Sequence, residues 1–205
     1  MNAALLVSVV VLWIAVVVLA LVVYALARQL GVLYERVAPA GALLLAGGPA
    51  VGELAPPVDA ETLDGRAATI GGASADDKSV LVFFLSASCP VCKTLLPALR
   101  SIARKEASWL RVVLAGDGAR EEHEAFARAE RLESFQFVLG AKLGITYQVS
   151  KLPYAVLLDA SGVLRAKGLV NTREHLESLF EASERGVASI QAYLDRDGRR
   201  SAEVA

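Results

Sequence analysis

The sequence predicts one α/β domain carried behind a single N-terminal transmembrane helix. Three observations support this fold class. The chain opens with a long uncharged run, its middle alternates between buried-strand and amphipathic-helix patterns, and its only two cysteines directly follow the apolar run SVLVFF. Patterns of period two and of period 3.6 distinguish strands from helices. The 205 residues therefore divide into an anchor, a connecting segment and one domain.

Residues 1–28 are predicted to be a transmembrane anchor. No charged side chain precedes Arg28, and the run from Ala3 to Ala27 would be about 37 Å long as a helix, more than the hydrocarbon core of a bilayer. A cleaved signal peptide is the alternative, but such peptides carry a basic start and a shorter apolar core, which this run lacks. We therefore expect a retained single-pass anchor in the membrane.

The residues alone leave the orientation of this anchor open. Arg28 and Arg36 follow the apolar run and only the terminal amine precedes it, which favours a cytoplasmic domain by the positive-inside rule. The bias is slight, and long domains translocate largely regardless of it.

Residues 29–57 are expected to form a juxtamembrane helix and an Ala/Gly/Pro linker, since the stretch from Ala38 to Pro57 is rich in these residues and nearly free of charge. The domain is expected over residues 58–187, followed by a C-terminal tail over 188–205. The formal net charge of −1 provides no basic patch for nucleic acid.

Within the domain, strand and helix patterns follow one another in a recognisable order. The predicted elements, in chain order, are SVLVFFLS (strand), VCKTLLPALRSIARKE (helix), LRVVLAG (strand), REEHEAFARAERL (helix), LPYAVLLD and GVLRAKGLV (a hairpin), and NTREHLESLFEASE (helix). Parallel strands with crossover helices, then a hairpin and a closing helix, outline a thioredoxin-like fold.

Cys89 and Cys92 are the candidate reactive groups. A thiolate attacks a disulfide to give a mixed disulfide, which a second nearby thiol resolves, so two cysteines separated by two residues suit thiol–disulfide exchange. Cys89 lies where the predicted helix begins, and there backbone N–H groups and the helix dipole would stabilise its thiolate. Cys92, one turn into the helix, is the expected resolving thiol.

Two other roles for the cysteines are half of a zinc site and a pair of inert buried thiols. The two histidines, His123 and His175, lie far apart in sequence and lack the spacing of zinc ligands, and both are expected on solvated helix faces. A chance pair of inert cysteines seldom falls directly after a buried strand. Exchange chemistry, which needs no cofactor or metal, is therefore favoured.

The segment CPVCKTLLP resembles the thioredoxin pattern C-x-x-C-K-x-x-x-P, with Lys93 after the second cysteine and Pro97 inside the helix. The resemblance implies a cis proline at Pro153, in SKLPYAVLLD, facing the cysteine pair. With that proline, Leu152 would offer its backbone to a client, and Tyr154 would either line the client groove or pack within its strand.

Two departures from thioredoxins proper stand out. Ser88 occupies the place of a tryptophan before the first cysteine, and Phe83 occupies the place of a buried aspartate that accepts the proton of the resolving thiol. The resemblance therefore implies a specialised relative with altered proton handling.

Longer stretches, among them GVLYERVAPAGALLL, FFLSASCPVCK, VSKLPYAVLLD and GLVNTREHLESLFEA, resemble the MauD family of membrane-anchored accessory proteins in methylamine utilisation. The resemblance implies help in maturing the disulfide-rich small subunit of methylamine dehydrogenase. It also implies a domain on the periplasmic side of the inner (cytoplasmic) membrane, where disulfides persist, and an unknown thiol redox partner.

Two alternatives remain at this point. A general TlpA-type reductase for cytochrome c maturation would share the anchor and the fold, and a non-catalytic assembly chaperone could keep the fold and only hold its client. The direction of exchange is also open, because spacing does not set a reduction potential.

Overall fold

The structure is a computed structural model that describes residues 2–36 and 47–184. The chain forms two compact units, Met1–Pro39 and Ala40–Ala205. The first contains helix α1, Asn2–Arg36, in which Val7–Tyr24 has a mean hydropathy of 3.0 and is exposed throughout. By length and composition this segment is able to cross a membrane.

The described part of the second unit contains seven strands and four helices. Their bounds are β1 Val58–Glu61, β2 Ala67–Ile70, β3 Ser79–Leu85, α2 Pro90–Lys105, β4 Leu110–Gly116, α3 Arg120–Ala129, β5 Gln136–Leu139, α4 Ala141–Thr146, β6 Tyr154–Leu158, β7 Leu164–Leu169 and α5 Arg173–Glu184.

Five strands form one mixed sheet in the order β5-β4-β3-β6-β7. Strand β3 pairs in parallel with β4, and β4 in parallel with β5, whereas β6 runs antiparallel to both β3 and β7. Each parallel pair is joined by a crossover helix, and β6 and β7 form the expected hairpin. The predicted thioredoxin-like fold is confirmed.

Four elements were not predicted from the sequence. Strands β1 and β2 form a separate two-stranded antiparallel sheet, β5 forms the outer edge of the main sheet, and α4 connects β5 to β6. Each is only four to six residues long. Such short segments do not complete two periods of a helix and carry little strand signal.

The main sheet is covered on both faces. Leu81, Phe83 and Leu85 of β3 belong to the first core layer, with apolar side chains of α2, α3 and α5. Val82 and Phe84 belong to the second core layer, with side chains from β1, β2 and α4. Alternation along the strand explains how one continuous apolar run supplies both layers.

Residues 47–57 are attached to the domain, although their composition is that of a linker. Gly52 N donates to Leu164 O at 2.8 Å, Leu164 N donates to Glu53 O at 2.9 Å, and Ala55 is fully buried. The ammonium of Lys167 donates to the carbonyl oxygens of Gly47 and Pro49 at 2.5 and 3.0 Å. These contacts satisfy backbone groups that a free linker would leave to water.

Candidate functional site

Cys89 is the N-cap of helix α2. Its backbone is extended (φ −84°, ψ 110°), and its Sγ accepts a hydrogen bond from the backbone N–H of Cys92 at 3.2 Å. Pro90 follows at the first helical position, where its missing N–H is not needed. The backbone N–H of Cys92, in the first turn of the helix, therefore points at the sulfur of Cys89.

Cys92 differs sharply from Cys89 in its surroundings. Its side chain is 0% exposed and packs in the first core layer, whereas Cys89 is half-buried. Burial raises the pKa of the Cys92 thiol to about 12, and the adjacent Cys89 thiol adds to the rise, while a backbone hydrogen bond from Ser86 opposes it. Of the two free thiols, that of Cys89 is therefore accessible and that of Cys92 is enclosed.

The core around Cys92 is apolar. Phe83, which stands six residues before Cys89, is fully buried in the same layer. On α2 the next residue, Lys93, extends over the ring of Phe126 on α3, with Nζ 5.8 Å from the ring centroid. This contact joins the first turn of α2 to α3.

The Leu152–Pro153 peptide bond is cis. Phe84 pairs with Tyr154 at the end of the β3–β6 ladder, so Leu152 and Pro153 continue past that end, toward the loop that leads to Cys89. Pro153 O accepts a hydrogen bond from Val170 N at 3.0 Å. The fold thus brings the two parts of the predicted site, Cys89 and Pro153, to the same end of the central strands β3 and β6.

The residues on either side of Pro153 differ in exposure. Leu152 is 38% exposed, whereas Tyr154 is 2% exposed and packs against Phe84, with ring centroids 6.4 Å apart. Burial raises the pKa of Tyr154 to about 12. Of the two roles considered for Tyr154, packing within its strand is the one that its position supports.

A cavity of about 710 Å³ opens beside Leu152. It lies between the ends of β3 and β4, helix α4 and the segment before Pro153, and Ile145 on its rim is 78% exposed. Its lining residues include Phe84, Ala115, Asp117, Gly140, Gly144 and Lys151.

The expectation that both histidines lie on solvated faces is wrong. His123 on α3 and His175 on α5 are buried. Each occupies the apolar face of its amphipathic helix, three residues before Phe126 in α3 and one before Leu176 in α5. The spacing of His123 and Phe126 is the signal that could have identified a buried imidazole.

The fold and the two cysteines at the start of α2 define a thioredoxin-like protein. A family model described as AhpC/TSA matches residues 51–189. The chain is 44% identical over 194 residues to the methylamine utilization protein MauD of Paracoccus denitrificans, covering 95% of this chain and 96% of that one. It is 45% identical over 185 residues to MauD of Methylorubrum extorquens, covering 90% and 89%. The chain belongs to the AhpC/TSA family and, within it, to the MauD family.

Solved structures share the fold at low sequence identity. The thioredoxin domain of a thiol-disulfide oxidoreductase from Bacteroides vulgatus has a TM-score of 0.55 at 20% identity, covering 65% of this chain and 98% of that one. StoA from Bacillus subtilis has a TM-score of 0.51 at 23% identity, covering 64% and 99%. These likenesses bear on the fold of the domain.

Proposed function

We propose that this protein is a membrane-anchored thiol–disulfide oxidoreductase, or isomerase-like accessory protein, that assists maturation of the methylamine dehydrogenase small subunit. The observation that carries the chemistry is the asymmetry of the cysteine pair. Cys89 caps a helix and is accessible, whereas Cys92 lies one turn further on and is enclosed. An accessible nucleophile and a shielded resolving thiol are what exchange chemistry requires.

The reaction proceeds in two steps when the pair starts reduced. The Cys89 thiolate attacks one sulfur of a client disulfide, so that a new S–S bond forms and the other client sulfur leaves as a thiolate that takes up a proton. Cys92 then loses its proton and attacks the Cys89 sulfur. The Cys89–Cys92 disulfide forms, the second client sulfur is released, and two electrons have passed from the pair to the client.

The client is proposed to bind as an extended segment beside Pro153. The half-exposed Leu152 stands at the end of β6, where its backbone can pair with an incoming strand. Pro153 precedes β6 at the end of the sheet where β3 leads into the loop before Cys89. Under this proposal Leu152 contributes to the client groove, while Tyr154 supports it from the core.

The names of the relatives support the proposed client, and the chemistry of disulfides supports the proposed location. The relatives are named methylamine utilization proteins, and a small subunit dense in disulfides is a suitable client for an exchange protein. We place the domain on the periplasmic side of the inner membrane because disulfides persist there. Arg28 and Arg36 after the anchor count toward the opposite side.

Trapping the mixed disulfide tests this proposal. A full-length Cys92→Ala variant, expressed with its genomic neighbours, should accumulate a covalent complex with the dehydrogenase small subunit. Reduction with dithiothreitol should separate the two proteins. The matched control is Cys89→Ser in the same background, which should form no such complex. A complex only with cytochrome c maturation proteins would favour the general reductase, and client maturation that survives loss of both cysteines would favour a holding chaperone.

A further inference from the structure

The imidazole of His123 is a buried polar group without a partner. The side chain is 1% exposed, and neither Nδ1 nor Nε2 has a hydrogen-bond partner among the described residues. Burying such a group unpaired is costly, whereas a leucine of similar volume would fill the space without that cost. Packing alone therefore does not account for a histidine at this position.

The ring lies at the end of β4 that is nearest to the cysteine pair. It sits over Gly116, so closely that a Cβ at this position would approach its Cε1 to 2.6 Å and its Nε2 to 2.8 Å. Gly116 pairs with Leu85, the last residue of β3. The main chain continues from Leu85 to Ser86, whose backbone hydrogen-bonds the Cys92 thiol.

His123 and Cys92 also share one face of the sheet. Leu114 and Leu85 both belong to the first core layer with Cys92, and alternation along β4 turns Gly116 to the same side as Leu114. Neighbouring strands are about 4.8 Å apart. The imidazole on α3 and the enclosed thiol on α2 thus lie against the same face of the sheet, near the same end of the adjacent strands β3 and β4.

Helices α2 and α3 are in direct contact at this end. Lys93, next to Cys92, lies over Phe126, which follows His123 by three residues on one face of α3. Phe126 and Cys92 belong to the same core layer. The segments that carry the thiol and the imidazole therefore pack together.

Apart from Cys92 and two buried tyrosines, the other buried polar side chains among the described residues are Thr62, Lys167 and His175. The hydroxyl of Tyr147 also lacks a hydrogen-bond partner among these residues, but it lies in the second core layer, on the opposite face of the sheet. Lys167 pairs with Val156, which places it on the opposite face of the sheet, and it is engaged with Gly47 and Pro49. His175 Nδ1 already accepts a hydrogen bond from Asn171 N. The hydroxyl of Thr62 bonds the backbone of Arg66.

From this arrangement we propose that His123 is the base that receives the proton of Cys92 when the mixed disulfide is resolved, directly or through one bridging water molecule. The inference rests on the proposed exchange function. As the proton passes to the imidazole, the Cys92 sulfur attacks Cys89, the bond from Cys89 to the client breaks, and the departing client thiolate or solvent takes the proton from the imidazolium.

The ring also lies close to the exposed Gly118. Nε2 is 3.4 Å from the position that a Cβ on the exposed Gly118 would take, and a carboxylate oxygen of Glu122 is 3.7 Å from the same point. The charged residues nearest in the chain to His123, Gly118 and Cys92 are Glu122 and Glu124 on α3, Asp117 in the β4–α3 loop and Lys93 on α2. Strands β4 and β5 present Gly116 and the ring of Phe137, whose centroid is 5.3 Å from that of His123.

Separate measurement of the two half-reactions tests this role. Reduced full-length protein in detergent is mixed with glutathione disulfide, quenched with acid and analysed by mass spectrometry for the Cys89 adduct and the Cys89–Cys92 disulfide. In His123→Gln, formation of the adduct should keep its rate, while resolution should slow on the order of 100-fold at pH 7, as for loss of a general base. The adduct should therefore accumulate.

The pH profile separates proton transfer from packing. In His123→Gln the resolution rate should rise in proportion to hydroxide concentration, whereas in the natural protein it should depend less steeply on hydroxide because the imidazole takes the proton. His123→Ala should recover part of its rate when imidazole is added to the buffer. His175→Gln, the matched control on α5, should keep the natural profile.

Resolution by His123→Gln at the natural rate and with the natural pH profile would overturn the proposal. If His123→Gln proves unstable, the imidazole response of His123→Ala decides in its place, and an absent response overturns the proposal as well. Natural protein that forms no adduct at all would instead refute the proposed exchange function, and this inference with it.

Discussion

The sulfur of Cys89 accepts a hydrogen bond from the backbone N–H of Cys92 at 3.2 Å, so the first turn of α2 connects the two cysteines directly. Cys89 lies at the accessible helix end, whereas the side chain of Cys92 is enclosed in the first core layer. Chemical modification should therefore distinguish the two thiols.

Alkylation of the reduced, folded protein with iodoacetamide at pH 7 should modify Cys89 and leave Cys92 unmodified until the protein is unfolded. Cys92 is inaccessible, and burial holds its pKa at about 12, so almost none of it is thiolate at pH 7. Peptide mapping by mass spectrometry measures both sites. The unfolded protein in denaturant is the control, in which both cysteines should react, and equal labelling in the folded state would contradict the assignment of roles.

Raising the pH above 9 should weaken the reduced fold. The pKa of Cys92 is raised from 9.0 to about 12 in the folded state, so the unfolded chain releases this proton first, and the stabilisation that is full below pH 9 is lost as the pH approaches 12. Denaturant titrations followed by circular dichroism at pH 8 to 11 measure the slope.

The matched variant for this titration is Cys92→Ala. Tyr147 and Tyr154 also have pKa values raised by burial, from 10.0 to about 12, so the variant should still lose stability, but with an onset nearer pH 10. The same onset in both proteins would show that Cys92 is not the group responsible.

Replacing Lys167 with methionine should release residues 47–53 from the domain. The buried ammonium satisfies the carbonyl oxygens of Gly47 and Pro49, and its loss should lower the free energy of unfolding by about 1–3 kcal/mol. Limited proteolysis should cleave within this segment in the variant before it cleaves elsewhere. Lys142→Met, at an exposed position on α4, is the control and should leave both measurements unchanged.

Gly116→Ala should be destabilising because its methyl group would meet the His123 ring. Such overpacking costs about 1–3 kcal/mol, and in the His123→Ala background the cost should largely disappear. Gly144→Ala is the control, because no atom lies within 4 Å of its added Cβ and alanine favours the helix. Thermal unfolding of the four variants measures the coupling, and additive effects would argue against the close approach of ring and backbone.

Alkaline phosphatase fused to the C-terminus should be active in cells. This enzyme is functional only where its own disulfides form, as expected for a periplasmic domain behind the Val7–Tyr24 segment. A fusion to a reporter that works only in the cytosol is the reciprocal control. Activity of the cytosolic reporter alone would reverse the proposed orientation and agree with Arg28 and Arg36.

Much of the fold could be read from the sequence because its central elements carry strong local signals. The run from Val80 to Leu85 is apolar throughout, as expected for a strand buried on both faces, and LRVVLAG corresponds in full to β4. The cysteine spacing predicted Cys89 and Cys92 as the reactive pair, and the resemblance to thioredoxins predicted a role for Pro153 beside them. Membership of the MauD family followed from long stretches of side chains, and the comparisons bear it out.

Only the tertiary structure decided where polar and poorly patterned residues lie. The composition of residues 47–57 predicted a linker. Their backbone is instead hydrogen-bonded to Leu164 and Lys167, and these partners lie more than 100 positions away, so they leave no local sequence pattern. His123 was predicted to be exposed because its sequence neighbours are charged. It is buried because its ring packs over Gly116 of β4, where the absence of a side chain leaves room for it. Long-range packing determines such positions, and their sequence neighbours do not report it.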